Sequence, residues 1–227
     1  MTIPENLSTK GLNNIQKSIT DVGVKDFFLI DQTISSTIGS NKNDTSLVVD
    51  IGKTMVKTIM FSLGKKVYST SKTSNIECLI KNCLKEKKEC TISDTLVEHI
   101  KVDVATVNPL DKVFTINTYG RDKSDIVQSI KVGSDDIQEV VFVYCNDVIQ
   151  DIKNALKYAH INNIVIDSIV LTGGGSLLRG MNTYIFDTLS IPVYLHENPT
   201  CDSVRGAIEI LKDEKLFKRH LTKEFDE

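Results

Sequence analysis

The chain has 227 residues, a net charge of −3, 41% hydrophobic residues and 25% charged residues. This composition is typical of a globular protein with material for one large domain or two small ones. The slightly acidic balance argues against nucleic acid as the main partner. No apolar run approaches the roughly 18–20 residues of a transmembrane segment. Because the first residues also lack a secretion signal, the sequence predicts a cytoplasmic protein.

The cysteines and histidines do not form a metal-binding pattern. The five cysteines are irregularly spaced, and none forms a C-x-x-C pair. The four histidines are scattered as well, whereas zinc needs closely spaced Cys and His ligands. Reduced structural thiols are therefore the better interpretation of the cysteines.

The first half of the chain alternates between predicted helix and predicted strand. Residues 10–22 carry apolar residues at helical spacing, and residues 24–31 have the pattern of a buried strand. Residues 47–70 are rich in β-branched residues and contain a break at 63–66, which predicts a hairpin of two long strands. Residues 75–107 are more polar, and we expect them to be partly helical.

The second half continues this alternation, which is typical of an α/β fold. Residues 112–132 have the pattern of another hairpin, with a turn near residues 120–123. Ser134 is predicted to cap a long helix with an apolar stripe from Ile137 to Ala159. The remaining predicted elements are a strand at 163–172, a helix that ends at Leu189, a short strand at 191–196 and a final helix at about 200–215.

Three consecutive glycines, Gly173, Gly174 and Gly175, separate the strand at 163–172 from a helix that we expect to start near Ser176. Because glycine has no Cβ atom, this loop can adopt positive φ and let a ligand approach closely. The unpaired N–H groups of the following helix would suit a phosphate. A tight turn between strand and helix explains the same glycines without any ligand.

Four stretches of the sequence form a recognisable series: LVVDIGKTMVKTIMFSLGKKVYSTS, LVEHIKVDVATVNP, LTGGGSLLRGM and IPVYLHENPTCDSVRGAIEIL. In content and order they resemble the MreB/Mbl family of bacterial actin-like cell-shape proteins, and the resemblance covers essentially the whole chain. It implies an α/β fold of the actin, sugar kinase and chaperone ATPase type, in which two lobes close over a nucleotide. The implied cofactor is ATP or ADP with Mg²⁺.

The resemblance also implies a division of the chain. Residues 1–42 correspond to a remnant of the first lobe, and residues 43–74 and 132–202 correspond to the core of the second lobe. Residues 75–131 correspond to an inserted outer subdomain, and residues 203–227 to a C-terminal helix and tail. The first phosphate loop of the family precedes the matched region, so we expect the chain to represent mainly the second lobe.

The resemblance assigns the adenosine side of the nucleotide site to two segments. Gly173, Gly174 and Gly175 would line the site beside the adenosine and the α-phosphate. Glu98 would accept hydrogen bonds from the ribose, and the stem of Lys101 would pack beside the base. Without the resemblance, each of these two residues is better explained as an ordinary surface charge of a helix.

The resemblance assigns the phosphate side and the catalytic position to three further residues. Asp50 ends an apolar strand, where a carboxylate is costly unless it has a role, and it would hold Mg²⁺ through water. Gly52 would belong to the second phosphate loop. Gln32 stands where MreB has a glutamate and where actin uses a glutamine to orient the attacking water. Such a residue can position water but cannot act as a base.

The second phosphate loop departs from the family pattern of Asp, Ile, three glycines and two threonines. After Gly52 the chain has Lys53 and Thr54 in place of glycines, and Met55 and Val56 replace both hydroxyl groups. Because backbone N–H groups of such glycines bind phosphate, we expect weak phosphate binding and weak or no ATPase activity. Lys53 either supplies a point charge in place of the lost amides or simply fills the space.

Three functions are compatible with these features. The first is a nucleotide-dependent cytoskeletal protein that assembles with MreB-family protomers and works with the cell-wall elongation machinery at the inner face of the membrane. The second is a non-catalytic module that caps or modulates MreB filaments. The third is a small-molecule phosphotransferase of the wider superfamily, for which we find neither a sugar-binding insertion nor an intact phosphate loop.

Overall fold

A computed structural model describes two compact units. Unit 1 comprises Met1–Asn43 and His196–Glu227, and unit 2 comprises Asp44–Leu195. The division of the chain into four segments, which the resemblance implied, stays a prediction. The described residues are 1–3, 7–25, 27–40, 46–62, 65–107 and 113–223.

Strands and helices alternate through both units. The strands are β1 (Thr2–Ile3), β2 (Leu29–Asp31), β3 (Ser46–Ile51), β4 (Met55–Ser62), β5 (Lys65–Thr73), β6 (Thr115–Arg121), β7 (Val127–Gly133), β8 (Ile169–Thr172), β9 (Val193–Leu195) and β10 (Leu221–Lys223). The α-helices are α1 (Thr9–Asp21), α2 (Gln32–Gly39), α3 (Ile76–Lys88), α4 (Asp94–Asp103), α5 (Ser134–Ile161), α6 (Met181–Leu189), α7 (Asp202–Lys212) and α8 (Glu214–His220).

The main sheet of unit 2 has the strand order β5-β4-β3-β8-β9. Strands β3, β4 and β5 are antiparallel neighbours, whereas β3, β8 and β9 are parallel. Leu47, Val49 and Ile51 point to one face and join a core with residues of α3, α4 and α5. Val48 and Ile59, on the opposite face, are also fully buried. Burial of both faces explains the nearly continuous apolar run of β3.

Several predicted elements are confirmed, but the region after residue 46 differs. Helix α1 confirms the helix predicted at 10–22, and β6 and β7 confirm the second hairpin. The hairpin predicted at 47–70 is confirmed where β4 pairs with β5. Its first strand is not one long strand, because β3 and β4 are separate strands of a three-stranded meander. Lys53 and Thr54 form a tight turn within the first predicted strand. Leu63 and Gly64 of the predicted break lie outside the described residues.

Two predicted strands are shorter in the structure than the sequence predicts. The strand predicted at 24–31 pairs with β1 and β10 over Leu29–Asp31. The strand predicted at 163–172 pairs from Ile169 onward, with Leu47 of β3 and Val193 of β9 as the register partners of Ile169.

Two helix ends also differ from the prediction. Helix α5 begins at Ser134 itself, and the carboxylate of Asp136 accepts the hydrogen bond from the Gly133 N–H group at 2.8 Å. The predicted final helix is divided at Asp213, because its carboxylate accepts hydrogen bonds from the N–H groups of Lys215 and Leu216 and starts a new helix, α8.

All five cysteines are free thiols, and Cys83, Cys90 and Cys145 are buried. Burial raises the pKa of Cys145 to about 12, which keeps this thiol protonated and unreactive. Among the described residues, no group of three or more His, Cys, Asp or Glu side chains is arranged to hold a metal ion. Within the same residues, no helix is long and apolar enough to cross a lipid bilayer.

Helices α2 and α7 of unit 1 approach each other through their backbones. A Cβ atom on Gly206 would overlap the carbonyl oxygen of Ser35 and lie 2.8 Å from the backbone nitrogen of Gly39. The Ser35 hydroxyl donates a hydrogen bond to the carbonyl of Ser203 at 2.5 Å across the same contact. The short distance between the helices therefore requires glycine at position 39 of α2 and at position 206 of α7.

We expect Gly206→Ala to reduce the free energy of unfolding by about 2–3 kcal/mol, because backbone atoms cannot move aside as a side chain can. Urea unfolding followed by circular dichroism measures this loss. The matched control is Gly11→Ala in α1, where the new Cβ would meet the side chains of Leu7 and Ser8 and no backbone atom is among its nearest neighbours. Helix propensity favours this change by up to about 1 kcal/mol, and an equal loss in both variants would contradict the interpretation.

Candidate functional site

The carboxyl ends of β3 and β8 lie side by side at one edge of the unit 2 sheet, where Asp50 pairs with Thr172. Strand β4 runs away from this edge and β5 returns to it, so the β3–β4 turn and the start of α3 lie there as well. The Ser74 N–H group donates a hydrogen bond to the Thr54 carbonyl at 3.0 Å and joins these two segments. Ligands of α/β sheets bind at the carboxyl ends of strands, which makes this edge the candidate site.

The glycine turn after β8 packs directly against the end of β3. Gly173 has a φ of +79°, and a Cβ atom there would lie 2.5 Å from Asp50 Oδ1 and 2.6 Å from the Ile51 carbonyl oxygen. A Cβ atom on Gly175 would overlap the Ile51 side chain. The contact between the two strand ends therefore requires glycine at both positions, whether or not a ligand binds.

The segment after these glycines is a 3₁₀ turn, Gly174–Leu177. Both the N–H group and the hydroxyl of Ser176 donate hydrogen bonds to the Gly173 carbonyl, at 3.2 and 2.6 Å. Helix α6 begins only at Met181, after Gly180 in the left-handed region. The prediction of a helix start near Ser176 is therefore wrong. In this described segment the glycines lead into a 3₁₀ turn and not into the N-terminus of an α-helix that could bind a phosphate.

The β3–β4 turn itself uses the N–H group of Gly52, a residue that the resemblance assigns to the second phosphate loop. The Gly52 N–H group donates a hydrogen bond to the Met55 carbonyl at 2.9 Å, with Lys53 and Thr54 at the tip of the turn. A phosphate would have to compete with this hydrogen bond. The assignment of Gly52 to the nucleotide stays a prediction.

Two lysines and two glutamates form a connected network beside this turn. Lys53 Nζ lies 3.0 Å from Glu77 Oε2 and 3.2 Å from Glu98 Oε2. Lys101 Nζ donates a hydrogen bond to the other oxygen of Glu77, Oε1, at 2.5 Å. The structure thus brings Glu98 and Lys101 into one cluster and connects them through two residues that were not assigned to the site.

Helices α3 and α4 position three members of this network. Glu77 lies in the first turn of α3, which the side chain of Asn75 caps. Glu98 and Lys101 lie one turn apart on α4, which Ser93 caps. Residues three apart share one side of a helix, so both α4 side chains can face α3 and the β3–β4 turn.

Glu77 is the buried centre of the network, with only 9% of its side chain exposed. Burial alone would raise the pKa of Glu77, but the hydrogen bonds from Lys101 and Lys53 outweigh burial and hold it below its ordinary value. The hydrogen bonds to Glu77 and Glu98 raise the pKa of Lys53. Both shifts favour the charged forms, so the network is ionic at neutral pH.

Asp50 lies opposite a lysine. Asp50 and Lys57 are register partners on β3 and β4, and each is only 7% exposed. Directly opposed side chains leave the same face of a sheet at close distance. A buried lysine in this register position would compete with a metal ion for the carboxylate if the two side chains meet. The assignment of Mg²⁺ to Asp50 stays a prediction.

Gln32, the candidate catalytic residue, is the first residue of α2 in unit 1. The carboxylate of Asp31 caps this helix by accepting hydrogen bonds from the N–H groups of Thr33 and Ile34, at 2.7 and 3.2 Å. Gln32 therefore belongs to a different unit from Asp50 and the glycine turn. Its role in hydrolysis stays a prediction.

Sequence reasoning missed Glu77 and left the role of Lys53 open. A glutamate in the first turn of a helix is normally explained by the helix dipole, so Glu77 gave no signal of a site. The strand topology, in contrast, indicates that Glu77 lies at the site. A turn between antiparallel strands and the segment after the third strand of a meander lie at the same sheet edge, which places Lys53 beside Glu77.

The sequence profile of the MreB/Mbl protein family matches residues 1–219. The chain belongs to the MreB/Mbl family. It is 27% identical to the cell shape-determining protein Mbl of Bacillus subtilis in an alignment of 231 residues, gaps included, that covers 96% of this chain and 69% of Mbl. It is 26% identical to the cell shape-determining protein MreB of Escherichia coli K12 over 209 residues, which cover 87% of this chain and 60% of MreB.

Solved structures confirm the actin-like α/β fold of this MreB/Mbl family member. MreB5 of Spiroplasma citri bound to AMPPNP matches with a TM-score of 0.81 at 18% identity, over 96% of this chain and 68% of that chain. The MamK double helical filament matches with a TM-score of 0.74 at 19% identity, over 93% of this chain and 67% of that chain.

We expect Glu77→Gln to lower the free energy of unfolding by about 1–2 kcal/mol at neutral pH, because both lysines then face an uncharged amide. The folded-state pKa of Glu77 lies below its ordinary value of 4.5. Its stabilising charge is therefore fully present above that value and is lost as the pH falls through the folded-state pKa. The difference between the wild type and the variant should therefore shrink as the pH falls below 4.5.

Urea unfolding at a series of pH values measures this difference. The matched control is Glu98→Gln, which removes the same charge from a half-exposed member of the network. We expect a much smaller effect there. A difference between wild type and Glu77→Gln that grows on acidification would contradict the assignment of Glu77 as an ionised centre.

Proposed function

We propose that this chain is an MreB-like cytoskeletal protein of cell-shape determination that binds adenine nucleotide in the cytoplasm. The family match over residues 1–219 carries the proposal. Support comes from the structures with the same fold, since MreB5 of Spiroplasma citri is solved with AMPPNP and with ADP and MamK is solved as a filament. The proposed partners are MreB-family protomers and, at the inner face of the membrane, the cell-wall elongation machinery.

The candidate site fits the nucleoside part of such a ligand better than the polyphosphate part. Glu98 is a half-exposed carboxylate that can accept hydrogen bonds from ribose hydroxyls. The aliphatic stem of Lys101 offers an apolar surface to the base. On the phosphate side, Lys53 supplies a positive charge at the tip of the β3–β4 turn. ADP or ATP would therefore bind mainly through the nucleoside and the nearest phosphate.

We further propose that ATP hydrolysis by this chain is weak or absent. The Gly52 N–H group is already hydrogen-bonded within its turn, and Met55 and Val56 offer no hydroxyl group to Mg²⁺ or phosphate. Gln32 can orient water but cannot accept its proton. Phosphoryl transfer depends on positioning and charge stabilisation around the γ-phosphate, and this turn offers few of the groups needed.

The same turn favours a second candidate function, a non-catalytic module that caps or modulates MreB filaments. With Gly52 committed to the turn and Lys53 paired with Glu77 and Glu98, the site is internally satisfied without nucleotide. Such a module would bind filaments through its actin-like surface and would not need a hydrolysis cycle.

We expect ATP and ADP to bind within about tenfold of each other, a difference below about 1.4 kcal/mol, because the altered turn adds little for the γ-phosphate. Isothermal titration calorimetry of both ligands measures this ratio. Glu98→Gln is the companion variant and should weaken both ligands by the same factor. A strong preference for ATP would contradict the proposed weakness of the phosphate side.

We expect the 227-residue chain to form no filaments with ATP and to shorten MreB filaments at substoichiometric amounts. A head-to-tail polymer needs two complementary surfaces on every subunit, and these residues span 69% of the length of Mbl. Negative-stain electron microscopy of the chain alone and mixed with MreB tests both statements. Regular filaments of the chain alone would contradict the first, and MreB filaments of unchanged length would contradict the second.

A further inference from the structure

We propose that Lys53 makes this site select nucleotides over nucleosides, by releasing Glu98 and binding a phosphate of the ligand instead. The inference rests on the proposed nucleotide site and goes beyond it. It assigns a specificity-determining role to a residue at which this chain departs from the glycines of its family.

Lys53 spans the two sides of the candidate site. Its backbone lies in the β3–β4 turn, directly after the strand end that packs against Gly173. Its ammonium group lies on the other side, 3.0 Å from Glu77 and 3.2 Å from Glu98. With 57% of its side chain exposed, Lys53 can exchange one partner for another without disturbing the core.

The charges of the network determine what such an exchange costs. Glu77 keeps its hydrogen bond from Lys101 when Lys53 moves away, so the buried carboxylate remains paired. Glu98 has Lys53 as its ion-pair partner, and within the described residues no second cation pairs with it. Lys53 occupies Oε2 of this carboxylate, and in the proposed mode of binding the ribose takes this oxygen and displaces Lys53.

A nucleoside and a nucleotide then differ in the ion pairs that are broken and formed when they bind. Adenosine breaks the pair between Lys53 and Glu98 and offers the lysine nothing in return. A nucleotide breaks the same pair but provides a phosphate oxygen, with which an ammonium group forms a strong charge-assisted hydrogen bond. Lys53 thus opposes nucleoside binding and supports nucleotide binding, and its removal should change the two affinities in opposite directions.

The test compares adenosine and ADP as ligands of the wild-type chain and of Lys53→Met by isothermal titration calorimetry. We expect adenosine to bind about threefold more tightly to the variant, because an exposed ion pair no longer has to be broken. We expect ADP to bind about tenfold more weakly, because its phosphate loses a charged donor. Lys53→Arg keeps the charge and should retain the wild-type preference for ADP.

The matched control is Lys81→Met. Lys81 also links α3 to α4, since its Nζ lies 2.5 Å from Asp94 Oδ1. This variant should leave both affinities unchanged. If Lys53→Met weakens both ligands together, or changes neither, Lys53 does not discriminate between them and the inference is wrong. If the wild type and both Lys53 variants bind neither ligand, the proposed nucleotide site itself is wrong and the inference fails with it.

Discussion

The close contact between the glycine turn after β8 and the carboxyl end of β3 is the constraint on which the candidate site depends. Asp50 and Ile51 occupy the space that side chains at Gly173 and Gly175 would need. This contact fixes the end of β3 and therefore the position of the β3–β4 turn. Since Lys53 lies in that turn, the same contact places its side chain within reach of α3 and α4.

The ionic network depends on the placement of Lys53 beside these two helices. A buried glutamate is costly unless it is paired, and Glu77 is paired on both oxygens by lysines from two different segments. The turn and α4 are therefore linked through a residue of α3. In a site built this way, the groups that would hold a nucleoside are already joined to one another, and a ligand must compete with existing ion pairs.

Much of the fold could be predicted from the sequence, because long amphipathic helices and alternating hairpins give strong local patterns. Helix α1 and the β6–β7 hairpin were found in this way. The β3–β4 turn of the meander gives a weak signal because its two central residues, Lys53 and Thr54, are not usual turn residues. Strand lengths and the role of Glu77 depend on which segments become neighbours, and local sequence patterns do not report this.

The exchange of glycines for Lys53 in the β3–β4 turn changes how a phosphate can be bound as well as how strongly. Backbone N–H groups in a glycine-rich turn are directional donors that can surround a polyphosphate and distinguish its positions. An ammonium group on a flexible stem is a point charge that can bind any nearby anion, including the carboxylates of Glu77 and Glu98. A turn of the first kind can bind a γ-phosphate through directional hydrogen bonds. A turn of the second kind binds a phosphate without distinguishing its position, which is consistent with the proposed nucleotide binding with weak or absent hydrolysis.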